Sequence, residues 1–180
     1  MAKQYPAISD TQAAFIARQH IFFVATAVAD GHVNLSPKGM DSLRLLGPNR
    51  VIWLNVTGSG NETAAHVAVN PRMTLMFCAF DGPPMILRLY GEAKVIHTRD
   101  AAWAELYPHF TPIAGARQIF DLQVSLVQTS CGFAVPNFTH AGDRTLLRDW
   151  AEKRGDQGIQ DYWSDRNQTS LDGLPTHILA

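Results

Sequence analysis

The segment FFVATAVADGHVNLS, residues 22–36, gives the strongest indication of the fold. Two runs with strand character, 22–28 and 32–36, flank Ala29-Asp30-Gly31. Asp-Gly between two such runs favours a type I′ turn, in which both central residues take positive φ. The stretch therefore predicts a β-hairpin, and Pro37, which has no amide hydrogen, is expected to end its second strand.

Four further segments are rich in β-branched, aromatic and alternating apolar residues, which favour strands. They are residues 51–56, 72–80, 85–97 and 119–129. Asp81-Gly82-Pro83-Pro84 supplies a turn between two of them, and Gly91 interrupts the longest, as a bulge that bends a sheet would. Six strands joined mostly by hairpins predict a mainly β protein, a small antiparallel barrel with peripheral helices.

The predicted helices are short and lie at Asp10–Gln19, 62–69 and 99–106. Residues 142–172 differ from the rest, because they hold seven acidic and five basic side chains. This segment predicts two helices, near 144–153 and 158–165, with Trp150, Tyr162 and Trp163 as docking residues. We therefore expect a barrel domain over residues 1–141 and a helical extension over 142–180 that packs on the same domain.

Charge and composition exclude several classes of function. Fifteen Lys and Arg against sixteen Asp and Glu leave no field to hold a nucleic acid. No apolar run approaches the ~20 residues that cross a bilayer, and the N-terminus resembles no export signal, so a cytoplasmic location without membrane association is expected. Two cysteines without a CxxC pair and seven scattered histidines predict no metal site; Cys78 is expected to be buried.

Two segments place polar groups at strand ends, where a barrel would bring them together. In the first, VNLSPKGM at 33–40, Lys38 beside Gly39 could meet an anionic ligand group or could be a solvated turn lysine. In the second, TGSGNET at 57–63, Ser59 and Glu62 have capping-box spacing, yet the glycines and free helix amides could equally hold a phosphate. Neither a Walker loop nor a complete dinucleotide fingerprint is present. Glu62 and His66 are expected to form a surface ion pair.

The chain from about residue 22 to residue 132 resembles the pyridoxamine 5′-phosphate oxidase-like family of flavin-binding split β-barrels. The resemblance is carried by the Asp30-Gly31 hairpin and by VNLSPKG (33–39), VIWLN (51–55), NET (61–63), NPR (70–72) and LRLYGE (87–92). It implies a six-stranded antiparallel split β-barrel and a homodimer with FMN at the subunit interface. FAD or a deazaflavin is the alternative cofactor.

The resemblance implies that the cofactor phosphate is held by Lys38 and by the segment before the first inserted helix. The residues that it assigns to the cofactor site are Asn34, Leu35, Ser36, Lys38, Asn55, Thr57, Ser59, Asn61, Glu62, Thr63, Arg88 and Ser130.

The chain departs from the vitamin B6 oxidases of that family at the residues that bind phosphate groups. Glu62 and Thr63 occupy the positions of an Arg-Lys pair, so Lys38, Arg88 or backbone amides must balance a cofactor phosphate. Ser130 replaces a tryptophan, and 133–136 replace the Arg and His that bind pyridoxal phosphate. The resemblance therefore implies a substrate other than a B6 vitamer.

Three functions stay open at this point. The first is an FMN-dependent oxidoreductase that acts on a small, mostly apolar or aromatic molecule. The second is a non-catalytic flavin- or haem-binding protein of the stress or sensor type. The third is a barrel without a cofactor that acts as an interaction protein.

Overall fold

The structure is a computed structural model, and it describes residues 2–180. This part of the chain forms eight strands, four α-helices and one 3₁₀ turn. In order they are β1 (Lys3–Tyr5), α1 (Asp10–Ala17), β2 (Phe22–Thr26), β3 (Asn34–Lys38), β4 (Leu43–Gly47), β5 (Arg50–Val56), α2 (Glu62–Val69), β6 (Arg72–Cys78), β7 (Ile86–His97), α3 (Ala101–Leu106), β8 (Ala116–Ser130) and α4 (Leu146–Arg166).

All strands pair antiparallel in one sheet of order β3-β2-β6-β7-β8-β5-β4, and β1 pairs with the end of β8. The mainly β, antiparallel class is therefore confirmed, but the sheet has eight strands where six were expected. The added strands are β1 and β4. Neither shows an alternation of apolar and polar residues, because β1 has three residues and every residue of β4 is half-buried. Periodicity alone could not reveal them.

The helices α1 and α2 begin where the sequence predicted. Ser9 caps α1 in a capping box with Gln12, and α2 covers 62–69. The predicted helix at 99–106 is shorter, since α3 begins at Ala101 and a 3₁₀ turn follows it.

The first hairpin forms, but its turn differs from the prediction. Gly31 has a φ of 128°, whereas Asp30 has no positive φ, so the loop between β2 and β3 is not a type I′ turn. The C-terminal segment explains the difference, because Asp172 accepts hydrogen bonds from the His32 amide at 2.8 Å and from His32 Nδ1 at 2.6 Å. These bonds lower the pKa of Asp172 and connect the loop to the C-terminal segment.

The expectation that Pro37 ends the second strand is wrong. β3 continues to Lys38, with Phe23 opposite Pro37 and Phe22 opposite Lys38. Because β3 is the last strand of the sheet, one of its edges has no partner strand, and a proline there removes no ladder hydrogen bond. The strand consequently carries Lys38 to the end of the sheet.

The largest of three buried apolar clusters is built mainly from the strands of the sheet. Trp53 is fully buried and stacks on Phe120, with ring centroids 4.5 Å apart. Leu75, Leu87 and Leu89 from the central strands pack in the same cluster. Cys78 is buried, as predicted.

The C-terminal segment packs through its aromatic residues, as the sequence indicated. α4 runs from Leu146 to Arg166 and is interrupted at Gly155, which has a φ of 64°. Trp163 is buried, and its Nε1 donates to Thr57 Oγ1 at 2.8 Å. This contact holds the helix against the end of β5. The division of the chain near residue 141 stays a prediction.

No helix within residues 2–180 combines the length and the apolar character that a membrane crossing requires.

The predicted bulge at Gly91 is confirmed and can be tested. The register between β7 and β8 shifts between Tyr90 and Gly91, and a Cβ at Gly91 would collide with the Gln123 carbonyl oxygen. We expect Gly91→Ala to lower the free energy of unfolding by about 1–3 kcal/mol, because backbone has to move to admit the methyl group. Urea denaturation measures the change.

Gly47→Ala is the matched control, since no atom lies within 4 Å of a Cβ at Gly47. We expect a change within about 0.5 kcal/mol there. Equal effects of the two substitutions would contradict the role of Gly91.

Candidate functional site

The side chains of β3 alternate between two faces. Asn34, Ser36 and Lys38 are half-buried on one face, while Leu35 and Pro37 are exposed on the other. Since side chains point to opposite sides at successive strand residues, the three polar groups form one row. Leu35, a predicted site residue, is 62% exposed and does not belong to this row.

The row of β3 lines one wall of a polar cleft of about 460 Å³. The opposite wall is the segment that leads from β5 into α2, so the two segments singled out in the sequence do meet. Of the predicted site residues, the cleft is lined by Asn34, Ser36, Lys38, Asn55, Ser59, Asn61, Glu62 and Thr63.

α2 begins at this cleft without the capping box that the spacing of Ser59 and Glu62 allowed. Its first residue is Glu62, and the N-cap residue Asn61 makes no side-chain capping bond. Ser59 is therefore two residues too early to cap the helix. The Glu62 carboxylate instead accepts a hydrogen bond from the Leu171 amide at 3.3 Å. The first amides of α2 stay free to bind an acceptor in the cleft.

Arg117 is a residue of the cleft that sequence reasoning missed. It lies at the start of β8, is 2% exposed, and lines the cleft. Its guanidinium donates to the carbonyl oxygens of Gly58 at 3.5 Å and Gly60 at 3.1 Å, and to Asn167 Oδ1 at 2.7 Å. Its Nε has no partner among residues 2–180, and no carboxylate there forms an ion pair with it. A buried cation without a paired anion favours binding of an anion.

Lys38 is held loosely and is free to bind. Its Nζ lies 3.5 Å from Asn55 Oδ1 and 5.4 Å from the centre of the Trp53 ring. Asn55 is fixed in turn by a bond from its Nδ2 to Gln118 Oε1 at 3.3 Å. The ammonium group is therefore aimed across the cleft while most of its hydrogen-bonding capacity stays unused.

The charges in the cleft are positive on balance. Burial, and then repulsion from Arg117, lower the pKa of Lys38 to about 8, although Glu62 opposes the shift. Burial likewise lowers the pKa of Arg117 to about 10, again against attraction by Glu62. Both groups are protonated at neutral pH, and one carboxylate faces two cations. Each cation would be stabilised by an added anion.

Asn34 is oriented by a chain of hydroxyl groups. Its Nδ2 donates to Thr26 Oγ1 at 3.2 Å and to Thr63 Oγ1 at 3.0 Å, so its side chain has only its oxygen left for a ligand. Thr26 Oγ1 also lies 3.2 Å from Nδ1 of His66, which is 1% exposed. The predicted surface ion pair between Glu62 and His66 is therefore wrong, because His66 points into the core.

Three further predicted site residues do not line the cleft. Thr57 is buried, and its hydroxyl donates to Gly115 O while it accepts from Trp163, which leaves no hydrogen for a ligand. Arg88 and Ser130 lie together on β7 and β8, with Arg88 NH1 3.5 Å from Ser130 Oγ. The second cation of the cleft is consequently Arg117 and not Arg88.

A larger cavity of about 850 Å³ adjoins the cleft at Lys38, which lines both. Its walls are mostly apolar, with Phe23, Phe80 and Phe138 among them. His20 and His140 also line it, and their rings stack with centroids 3.7 Å apart. A polar, cationic compartment therefore opens next to an apolar one.

The donor set of the cleft suits a small anion with several oxygen atoms, such as a phosphate group. Two cations, free helix amides and the hydroxyl groups of Ser36 and Ser59 can all donate to such an anion. Within residues 2–180, no group of three or more His, Cys, Asp or Glu side chains is placed to hold a metal ion.

Arg117 could have been suspected from the sequence only as a charged residue at the start of an apolar strand. Its place in the cleft follows from the pairing of β8 with β5, in which Asn55 lies opposite Gln118. A single sequence does not reveal that pairing. No sequence pattern singles out Asn167, since it follows a charged surface helix.

Comparison with known proteins places the chain in a family. Residues 8–131 match the family model described as pyridoxamine 5′-phosphate oxidase. A pyridoxamine 5′-phosphate oxidase family protein, ustO of Aspergillus flavus, is 36% identical over 189 residues, which cover 95% of this chain and 76% of that protein.

Two solved structures share the fold at low identity. HupZ from Group A Streptococcus has a TM-score of 0.53 and 20% identity, covering 75% of this chain and 99% of its own. A putative pyridoxamine 5′-phosphate oxidase from Lactobacillus delbrueckii has a TM-score of 0.54 and 21% identity, covering 68% and 94%. With an antiparallel sheet of this topology and a family match over most of its length, the chain belongs to the pyridoxamine 5′-phosphate oxidase family.

Proposed function

We propose that this protein is a flavin-dependent oxidoreductase that binds FMN, with the phosphate of the cofactor in the polar cleft. The observation that carries the proposal is the convergence of Lys38, the buried Arg117 and the free amides at the start of α2 on one small volume. These groups supply the positive charge that the Arg-Lys pair supplies in the vitamin B6 oxidases. Family membership and the apolar cavity beside Lys38 give further support.

The residues of the cleft divide the work of holding the cofactor. Lys38, the hydroxyl of Ser59 and the amides before α2 would bind the phosphate, while Ser36 and the side-chain oxygen of Asn34 would bind neighbouring hydroxyl groups. Glu62 limits the positive charge and so keeps the cleft from binding any anion indiscriminately. When bound, a flavin supplies the electron-accepting ring that this chain lacks.

The apolar cavity is the proposed place for the substrate, a small and mostly apolar or aromatic molecule. Its aromatic walls would bury such a molecule, and Lys38 connects it with the cofactor cleft. A B6 vitamer is disfavoured, since residues 130–136 contain no cation and Phe133 is 81% exposed. A phosphorylated substrate would lack its counter-charge there.

A homodimer with the cofactor near the interface is part of the proposal. Val33 and Leu35 are exposed apolar residues at the edge strand β3, whose other face lines the cleft. A second copy of the chain that covered this edge would bury them beside the cofactor. Light scattering of the protein loaded with FMN measures the assembly, and a monomer would contradict this part.

Anaerobic reduction tests the proposed activity. The protein is loaded with FMN, mixed with NADH or NADPH without oxygen, and followed at the flavin absorption band. We expect bleaching, and recovery when an electron acceptor is added. Tight flavin binding without reduction by any donor would indicate a non-catalytic module. A haem Soret band without flavin would indicate haem binding, and no flavin affinity at micromolar concentration would indicate an interaction protein.

Lys38→Ala tests the phosphate contact. We expect the substitution to weaken FMN binding by about 1.5–3 kcal/mol, because a charge-assisted hydrogen bond is lost. Quenching of flavin fluorescence measures the dissociation constant. Lys94→Ala is the control, because Lys94 is an exposed lysine on β7. An unchanged constant for Lys38→Ala removes Lys38 from the site.

The pH dependence of binding gives an independent test. The pKa of Lys38 is about 8, so the group is charged below that pH and neutral above it. We expect FMN affinity to be highest below pH 8 and to fall between pH 8 and pH 9, where the phosphate itself stays a dianion. In Lys38→Arg the charge persists, and the fall should disappear. The same fall in Lys38→Arg would assign it to another group.

A further inference from the structure

Asn167 lies behind the cleft, outside the segment that matches the family model. It follows α4, is 0% exposed, and uses both ends of its side chain. Its Nδ2 donates to the carbonyl oxygens of Gly58 at 3.1 Å and Ser59 at 3.4 Å, and its Oδ1 accepts from Arg117 at 2.7 Å. One side chain thus connects the loop before α2 with the buried cation of the cleft.

Three consecutive carbonyl groups of that loop point toward Asn167 and Arg117. Asn167 binds those of Gly58 and Ser59, and Arg117 binds those of Gly58 and Gly60. In a trans peptide the C=O and the following N–H point in opposite directions. The amides of Ser59, Gly60 and Asn61 are therefore turned away from Asn167. No acceptor within residues 2–180 takes a hydrogen bond from them.

We propose that Asn167 is a positioning residue that turns the amides of Ser59, Gly60 and Asn61 toward a bound phosphate group. The proposal rests on the proposed function, in that it assumes a phosphate in the cleft. Asn167 does not touch the anion. It holds the carbonyl side of the loop, so that the amide side faces the anion, while Arg117 adds its positive charge from the carbonyl side.

Few side chains could replace asparagine here. The position needs a donor toward two carbonyl oxygens and an acceptor toward a guanidinium, and the primary amide offers both at fixed spacing. An aspartate of the same shape would turn a lone pair toward the carbonyl oxygens and would place a carboxylate against Arg117. Asn167→Asp should therefore release the loop and neutralise the buried cation. The new ion pair with Arg117 should offset the stability lost with the hydrogen bonds to the loop.

The backbone of Asn167 is anchored from several sides, so the side chain cannot drift. Its carbonyl oxygen accepts from Thr176 Oγ1 at 2.6 Å and from Asn61 Nδ2 at 3.4 Å. Its amide donates to the Trp163 carbonyl at 3.0 Å. Asp172 binds His32 on the far side of the same tail. The C-terminal segment is thus a fixed support for the loop.

Comparison of FMN with riboflavin, which lacks the phosphate, isolates this role. Both ligands are titrated against the full-length protein by fluorescence quenching, and the ratio of their dissociation constants measures recognition of the phosphate. For Asn167→Asp we expect the FMN constant to rise by about ten- to a hundredfold, the range for hydrogen bonds to charged groups. The riboflavin constant should stay within about twofold, since the loop amides meet only the phosphate.

Asn167→Ser is the second variant, because it removes the Nδ2 donor without adding charge and should shift the ratio in the same direction. Gln168→Ala, at the exposed neighbouring residue, is the control and should leave the ratio unchanged. Parallel weakening of both ligands would overturn the proposal, because a purely structural role affects both alike. If the unaltered protein binds FMN no more tightly than riboflavin, the proposed function itself fails. With a discriminating parent, an unchanged ratio in Asn167→Ser refutes the role of Asn167 alone, because Asn167→Asp also neutralises Arg117.

Discussion

The buried guanidinium of Arg117, which has no carboxylate partner within residues 2–180, is the main electrostatic constraint on the polar cleft. Arg117 is withdrawn from water, and its hydrogen bonds go to neutral oxygens of a glycine-rich loop and of Asn167. Neutral acceptors bind its two terminal nitrogens, but Nε has no partner among residues 2–180 and the charge stays uncompensated, which burial makes costly. The charge can be compensated from the cleft, where an anion would meet Arg117 together with Lys38. The fold therefore places an uncompensated positive charge beside a cleft that a ligand can enter.

The start of α2 carries the acidic Glu62 in place of an Arg-Lys pair, so the positive charge of the cleft comes from Lys38 and Arg117. Backbone amides and hydroxyl groups provide several of the donors, and the acidic Glu62 stands at the first position of α2. The path of the backbone fixes the direction of each amide donor, so the geometry of these donors depends on the contacts that hold the loop. Long cationic side chains can adapt to an anion, whereas a loop has to be held in advance. Under the proposed function, this difference gives a role to residues that do not touch the ligand.

The sequence predicted the parts of the site that follow from local pattern. The alternation along β3 places Asn34, Ser36 and Lys38 together, and the same alternation would have removed Leu35 from the set. The predicted start of α2 was correct. Of the two alternatives for Ser59, the capping box does not form, and Asn167 and Arg117 bind the loop carbonyl groups around it. Such contacts join residues 50 to 109 positions apart.

The predicted type of the turn after β2 was wrong for the same kind of reason. Asp-Gly has a strong local preference, yet two hydrogen bonds from His32 to Asp172, 140 positions away, determine the loop. Local sequence pattern thus predicted most strands and helices. The roles of Arg117 and Asn167 could be identified only from the strand pairing and the path of the C-terminal segment.

The position of Asn167 sets an order of events during synthesis. The ribosome releases residues 22–130, which carry seven of the eight strands, well before it releases Asn167. Until then the carbonyl groups of Gly58 and Ser59 lack their side-chain donor, and Arg117 lacks its shortest hydrogen bond. A nascent barrel can bury its apolar core at that stage, but its glycine-rich loop has not been set. The polar cleft is thereby completed only after the C-terminal segment has emerged.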